Sequence, residues 1–203
     1  MEDSYLTIGC ESLAETKVKG SRFIAESVKA LTVDEATEKL LAIKKREYSA
    51  THHCYAWRVG NEGTPQFKYS DDGEPSGSGG RPIFDVMSGR QLTNCLLVVT
   101  RYYGGTKLGT GGLARAYSDA ARIVLEKSGD LTLYLKDSFR LSMEFPIYSQ
   151  VQNLLASLGV DLIESDFSDR VRLDVAVRRS KSTELVDGFT ELTQGRGKVE
   201  KIE

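Results

Sequence analysis

The chain reads as an α+β protein of two domains, on three observations. Its last third runs through strand and helix patterns in the order β-α-β-β-α-β. Its first two thirds mix apolar strand runs with amphipathic helices, and Ser128-Gly129-Asp130 makes a helix stop between the two parts. The expected domains are residues 1–130 and 131–203. At 203 residues, 40% hydrophobic and 28% charged, the chain can bury a core and is too apolar for disorder.

Taken in order, Thr16 to Lys29, around Phe23-Ile24-Ala25, reads as the first strand. Thr32 followed by Glu35 has capping-box spacing and opens a helix with Val33, Ala36, Leu40 and Ile43 on one face, ending near Tyr48. His52 to Val59 is a strand, and Gly60 to Gly80 a long loop dense in Gly, Ser, Pro and Asp. Pro82 suits the first turn of a short helix that stops near Gly89. Cys95-Leu96-Leu97-Val98-Val99 is a buried strand, followed by a glycine-rich turn and a helix from Leu113 to about Lys127. In the second part, Leu133 to Phe145 is a strand and Pro146 opens a helix that Gly159 stops. Val160 to Phe167 is a strand, and Val171, Leu173, Val175 and Val177 alternate with polar residues in the next. Leu185, Phe189 and Leu192 mark a last helix, and Lys198 to Ile202 a last strand.

The net charge of −2 argues against a general polyanion binder, but the charge is unevenly spread. Arg81, Arg90, Arg101, Lys107, Arg115 and Arg122 face only Asp85 and Asp119 in that segment, while Asp71, Asp72 and Glu74 cluster just upstream. No apolar run is long enough to span a bilayer, and the acidic N-terminus lacks the pattern of a signal peptide. Cys10, Cys54 and Cys95 show no CxxC spacing and fit reduced thiols, the latter two buried. The expected location is the cytoplasm.

Chemistry concentrates in Cys95 to Tyr117. Strand, glycine turn and helix start is the order that turns backbone N–H groups toward an anion. Gly104, Gly105, Gly109, Gly111 and Gly112 let a ligand come close, and Lys107 can place a charge on a phosphate. The turn has neither P-loop nor dinucleotide-fingerprint spacing. Arg101-Tyr102-Tyr103 can hold a phosphate and stack a base. Because strand neighbours face opposite sides, one tyrosine is expected in the core, and a bland reading pairs Arg101 with a loop aspartate. For the same reason His52-His53-Cys54 cannot all point at one ion, so no metal site is assigned there. Asp71, Asp72 and Glu74 could hold Mg²⁺ or form a solvated turn. No GxSxG elbow is present.

The segments His52-His53-Cys54-Tyr55-Ala56-Trp57, Ser70 to Pro75 and Arg101 to Leu113 resemble the signature of the IMPACT/YigZ family, and the match spans essentially the whole chain. The resemblance implies a first domain like the second domain of a small-subunit ribosomal protein, and a ferredoxin-like second domain like the last domain of elongation factor G. Eukaryotic members regulate translation by competing for a co-activator of a starvation-responsive kinase, and carry an RWD domain ahead of the shared one. Only about 15 residues precede the first expected strand here, which points to the bacterial branch. The resemblance carries over no catalytic residue.

These readings combine into a non-enzymatic, translation-linked regulator that binds RNA or a ribosome- or translation-factor-associated protein, with no cofactor and no membrane partner. The expected surface is a basic cleft lined by His53, Asp72, Arg101, Tyr103, Lys107, Gly109, Gly111 and Gly112. Two alternatives stand beside it. One is a Mg²⁺-dependent enzyme acting on a phosphorylated small molecule through Asp71, Asp72 or Glu74. The other is a pure protein-interaction module.

Overall fold

A computed structural model describes residues 3–61 and 63–202; Met1, Glu2, Glu62 and Glu203, which the expected domain ranges include, lie outside the described residues. The α+β class holds, and the chain divides into two compact units, one of Tyr5–Leu133 and one from Tyr134 onward that also takes in Asp3 and Ser4.

The first unit is built on an antiparallel five-stranded sheet. Its strands are β2 (Ser12–Val18), β3 (Ser21–Lys29), β4 (His52–Val59), β5 (Gln66–Ser70) and β6 (Cys95–Tyr102), in the order β2-β3-β6-β4-β5. The most apolar strand, β6, takes the centre, where both its faces are covered. On one face α1 (Val33–Arg46) packs Ala36, Leu40 and Ile43 against Tyr55, Trp57, Leu96 and Val98. On the other, α2 (Gly80–Gly89) and α3 (Gly109–Ser128) pack Ile83, Met87, Leu113, Tyr117 and Val124 against Phe23, Ala25, Cys54, Leu97 and Val99. A further strand, β1 (Ser4–Ile8), pairs with β7 (Asp130–Tyr134).

Several boundaries differ from expectation. The single strand foreseen over Thr16 to Lys29 is a hairpin, β2 and β3, turned at Lys19-Gly20, both at positive φ. The expected Gly60–Gly80 loop contains β5, whose alternating Phe67 and Tyr69 stack on Phe84 of α2. The helix expected from Leu113 begins at Gly109. Four glycine-rich residues of poor helix propensity are carried into its first turn by the buried face that follows them.

The second unit has the strands β8 (Lys136–Met143), β9 (Asp161–Phe167), β10 (Val171–Arg178) and β11 (Lys198–Ile202), ordered β11-β8-β10-β9 and antiparallel throughout. With α4 (Tyr148–Leu158) after β8 and α5 (Ser182–Leu192) after β10, this is the ferredoxin-like βαββαβ pattern. The alternation of β10 is kept: Val171, Leu173, Val175 and Val177 are buried against Val151, Leu155, Leu185 and Phe189. The strand expected from Leu133 is two, β7 and β8, broken at Leu135, whose amide donates to the Asp3 carbonyl.

Candidate functional site

Period-two alternation sorts the side chains at the end of the central sheet. Arg101 continues the Leu97–Val99 row toward α3, and its cross-strand partner is His52. His53 lies opposite Thr100 and belongs with Tyr55 on the α1 face. The expected grouping of His53 and Asp72 with Arg101 therefore does not form. Asp72 turns toward α1, where its Oδ1 accepts from Lys44 Nζ at 2.7 Å and its Oδ2 from the His53 amide at 2.7 Å. Burial opposes the Asp72 charge, but the Lys44 ammonium and the His53 amide outweigh it and hold the carboxyl below its usual range. Tyr102 is not core either. It is half-buried beneath the Arg22 guanidinium and donates to Glu47 Oε2 at 2.7 Å.

On the α3 face, a side chain outside the expected cleft organises the site. Glu74 is buried, and its Oε1 accepts from Arg101 Nη1 at 2.6 Å and from the Tyr117 hydroxyl at 2.8 Å. Arg101 is itself only 5% exposed. Its Nη2 donates to Ser21 Oγ at 3.2 Å, and its guanidinium lies 5.5 Å from the Phe23 ring centroid and 5.4 Å from that of Tyr103. Arg101 Nε is buried with no partner. Glu74 Oε2 lies 3.9 Å from His52 Nε2. His52 Nδ1 faces the Asp72 carbonyl at 2.8 Å, and since a carbonyl only accepts, Nδ1 carries the proton. The ion pair foreseen as the bland reading of Arg101 is real, but its partner is Glu74 and not an aspartate.

The acidic run serves three separate ends. Asp71 Oδ1 accepts from the amides of Gly79 and Gly80 at 2.9 Å each, and Oδ2 from Gly77 at 2.8 Å, so its carboxylate closes the N-terminus of α2. Asp72 braces α1, and Glu74 anchors Arg101. Among the described residues no group of three or more His, Cys, Asp and Glu side chains is arranged to hold a metal ion. Burial pushes the Cys54 and Cys95 thiols up to about 12, so neither is a nucleophile at neutral pH.

Above this network lies the glycine loop, Tyr103 to Leu108. Gly104 is required by close approach: a Cβ there would sit 1.9 Å from the Gly20 carbonyl carbon. The Gly104 amide also donates to Ser21 Oγ, so the loop is pinned to the β2–β3 turn. Beyond it α3 starts with Leu108 at its N-cap, with no capping side chain and no acid in its first turn. The other two helices of this unit are closed, α1 by Thr32 Oγ1 on the Glu35 amide at 3.1 Å and α2 by Asp71. The open end of α3 borders a pocket of about 360 Å³ lined by Glu74, Arg101, Tyr103, Lys107, Gly109 and Thr110, with Pro75, Leu108 and Leu113. Tyr103 is 48% exposed and Lys107 is exposed.

Of the expected cleft, the pocket gathers Arg101, Tyr103, Lys107 and Gly109. Gly111 and Gly112 lie in the first turn of α3 but do not line it, and His53 and Asp72 are on the other side of the sheet. The local positive charge is mostly consumed: Arg81 pairs with Asp85, Arg90 with Asp130, Arg101 with Glu74 and Arg122 with Asp119. Lys107 and Arg115 make no ion pair with a described residue.

The fold and this pocket define a two-domain α+β protein with a ligand-sized pocket at a helix N-terminus in its first domain. The Impact N-terminal domain matches residues 19–125, and a domain of unknown function, DUF1949, matches residues 141–196. The IMPACT family member YvyE of Bacillus subtilis is 34% identical over all of this chain and 93% of its own length. YigZ of Escherichia coli is 29% identical over 95% of each chain. Protein IMPACT of Rattus norvegicus is 32% identical over 53% of this chain and 35% of its own. A crystal structure described as that of a hypothetical protein superposes with a TM-score of 0.70 at 29% identity, covering 100% of this chain and 99% of the other. The chain belongs to the IMPACT family. Among the described residues no helix is long and apolar enough to cross a membrane.

Proposed function

We propose that this IMPACT-family protein is a non-enzymatic, translation-linked regulator that takes a single RNA strand at the open end of α3. Membership of the family supports the link to translation. The observation that carries the binding reading is the uncapped first turn of α3 facing a pocket that also holds Lys107 and an exposed tyrosine. A phosphate there accepts from free backbone amides, gains from the helix dipole and pairs with Lys107. A base stacks on Tyr103. Arg101 acts from beneath, since its pair with Glu74 fixes the guanidinium below the loop.

The competing Mg²⁺-enzyme reading loses support, because Asp71, Asp72 and Glu74 are spent on three different structural tasks. The interaction-module reading keeps one observation in its favour: β5 is an exposed sheet edge carrying Phe67 and Tyr69. Fluorescence anisotropy with labelled single-stranded RNA separates the readings. Salt-sensitive binding that Lys107→Ala and Tyr103→Ala weaken supports the RNA strand. Absence of binding at low salt, with a protein partner recovered instead, supports the module.

A further inference from the structure

Resting on the RNA-strand reading, we infer that the strand leaves the pocket across the glycine loop and meets a second phosphate contact at Lys19, in the turn between β2 and β3. Cross-strand pairing of Val18 with Ser21 leaves Lys19 and Gly20 as a two-residue turn, with φ of 45° and 82°. Both values are left-handed, as a type I′ turn requires. Gly20 suits its place. At the first place Asn, Asp or Gly is usual, and a lysine is held there against backbone strain. Strain of this kind clusters where a side chain serves something other than folding. Lys19 is exposed and makes no ion pair with a described residue, whereas its neighbours Lys17 and Arg22 lie 3.9 and 3.8 Å from Glu15.

The turn is fixed to the site. A Cβ on Gly20 would lie 2.9 Å from the Gly104 carbonyl oxygen, so backbone rests on backbone there. Ser21 Oγ accepts from the Gly104 amide and from Arg101 Nη2, each at 3.2 Å. Lys19 is therefore one residue from the crossing of turn and loop, and Tyr103 is one residue from it on the loop. Lys107 follows Gly104 by three residues, a chain length of at most about 11 Å. Between the two lysines the loop presents Gly104 and Gly105, both exposed, and a Cβ on Gly105 would meet nothing within 4 Å. This stretch carries no side chain and is flanked by an unpaired cation at each end. It lets a sugar–phosphate backbone lie close and keeps its phosphates near positive charge. Lys19 does not line the pocket, so a short ligand held there leaves it unused and a longer strand engages it.

The test compares the full chain with two variants. Lys19→Asn removes the charge and keeps a residue that favours the left-handed turn, and Lys19→Arg keeps the charge. A labelled oligouridylate is titrated by anisotropy over a range of salt, and a uridine dinucleotide is measured as competitor. Lys19→Asn is expected to weaken the long strand about fivefold at low salt, the scale of one exposed charge pair, and to lower the log–log salt slope by about 0.7. Lys19→Arg should match the wild type, the dinucleotide should bind wild type and Lys19→Asn alike, and the urea midpoint of Lys19→Asn should not fall. Wild-type affinity and slope in Lys19→Asn, with Lys107→Ala still impaired, would overturn the path over the loop and leave the strand reading standing; a lower slope in Arg115→Ala would then place the path along α3. A loss in Lys19→Arg equal to that in Lys19→Asn would overturn the assignment to charge. A lower urea midpoint, or dinucleotide binding weakened as much as that of the strand, would show Lys19 acting through the structure of the turn and overturn its role as a contact. Absence of strand binding by the wild type at low salt would overturn both this inference and the reading it rests on.

Discussion

Arg101 and Lys107 both line the pocket, but they differ in what their loss should do. Arg101 is buried against Glu74, so Arg101→Ala leaves a buried carboxylate that, among the described residues, keeps a hydrogen bond only from Tyr117. We expect a loss of about 3–5 kcal/mol, read as a lower urea midpoint, because breaking a buried pair costs more than the pair contributed. Lys107→Ala removes an exposed side chain without an ion pair, and stability should move by no more than about 0.5 kcal/mol. The two substitutions therefore separate the floor of the site from its contact surface. Asp71→Ala removes the cap of α2 and should cost about 1–2 kcal/mol in the same measurement. Asp72 and Glu47 have folded carboxyls held below their unfolded values, Asp72 against the opposition of burial by Lys44 and His53, Glu47 chiefly by the Tyr102 hydroxyl and then by Arg46. Their contribution is complete above the unfolded values, roughly pH 4, and is lost as pH falls through the depressed folded values. Urea midpoints should drop on acidification below about pH 4, and Asp72→Asn should flatten that dependence.

At the scale of elements, the glycines of the loop and of the first turn of α3 play different parts. Gly104 meets the backbone of Gly20 and Ser21, so Gly104→Ala should unfold the junction or force the loop away. A Cβ at Gly111 would meet nothing within 4 Å, and its backbone is ordinary helix. Gly111→Ala should leave the thermal midpoint unchanged or raise it, by up to about 1 kcal/mol of helix propensity. A drop would mean that the first turn is not helical in solution. The sequence made some elements plain and hid others for definite reasons. Thr32 and Glu35 announced α1, and the structure has the Glu35 amide on Thr32 and the Glu35 carboxylate on the Leu31 amide. The strand β5 was hidden because Gln66 to Ser70 stands among turn-forming residues, although Phe67 and Tyr69 alternate within it. The start of α3 was hidden because glycines argue against helix, and only the buried face beyond Leu113 overrides them.

Over the whole molecule, the two-domain α+β plan was readable because each domain repeats its pattern of burial, most cleanly in β10. The site was readable only in part. Spacing marked Arg101, Tyr103, Lys107 and Gly109, which do come together. Alternation already put His52 and His53 on opposite faces, but which of them joins Arg101 depends on the pairing of β4 with β6, a long-range register that no local pattern reveals. Glu74 was hidden in an acidic run that read as one unit, while the fold sends its three carboxylates in three directions. The balance of charge follows from the same pairing. A segment that looks strongly basic in the sequence keeps Lys107 and Arg115 outside ion pairs among the described residues. Binding should therefore depend on salt with a shallow slope, unlike that of a general polyanion binder.

The central claim is that the open end of α3, with Lys107 and Tyr103, takes an RNA strand. Its most direct test is the salt dependence of single-stranded RNA binding by the wild type and by Lys107→Ala. The account predicts binding at low salt, a shallow log–log slope, and a fall of about 0.7 in that slope on losing Lys107, the value of one single-strand phosphate contact. An unchanged slope and affinity in Lys107→Ala, or no binding by the wild type at low salt, would contradict it.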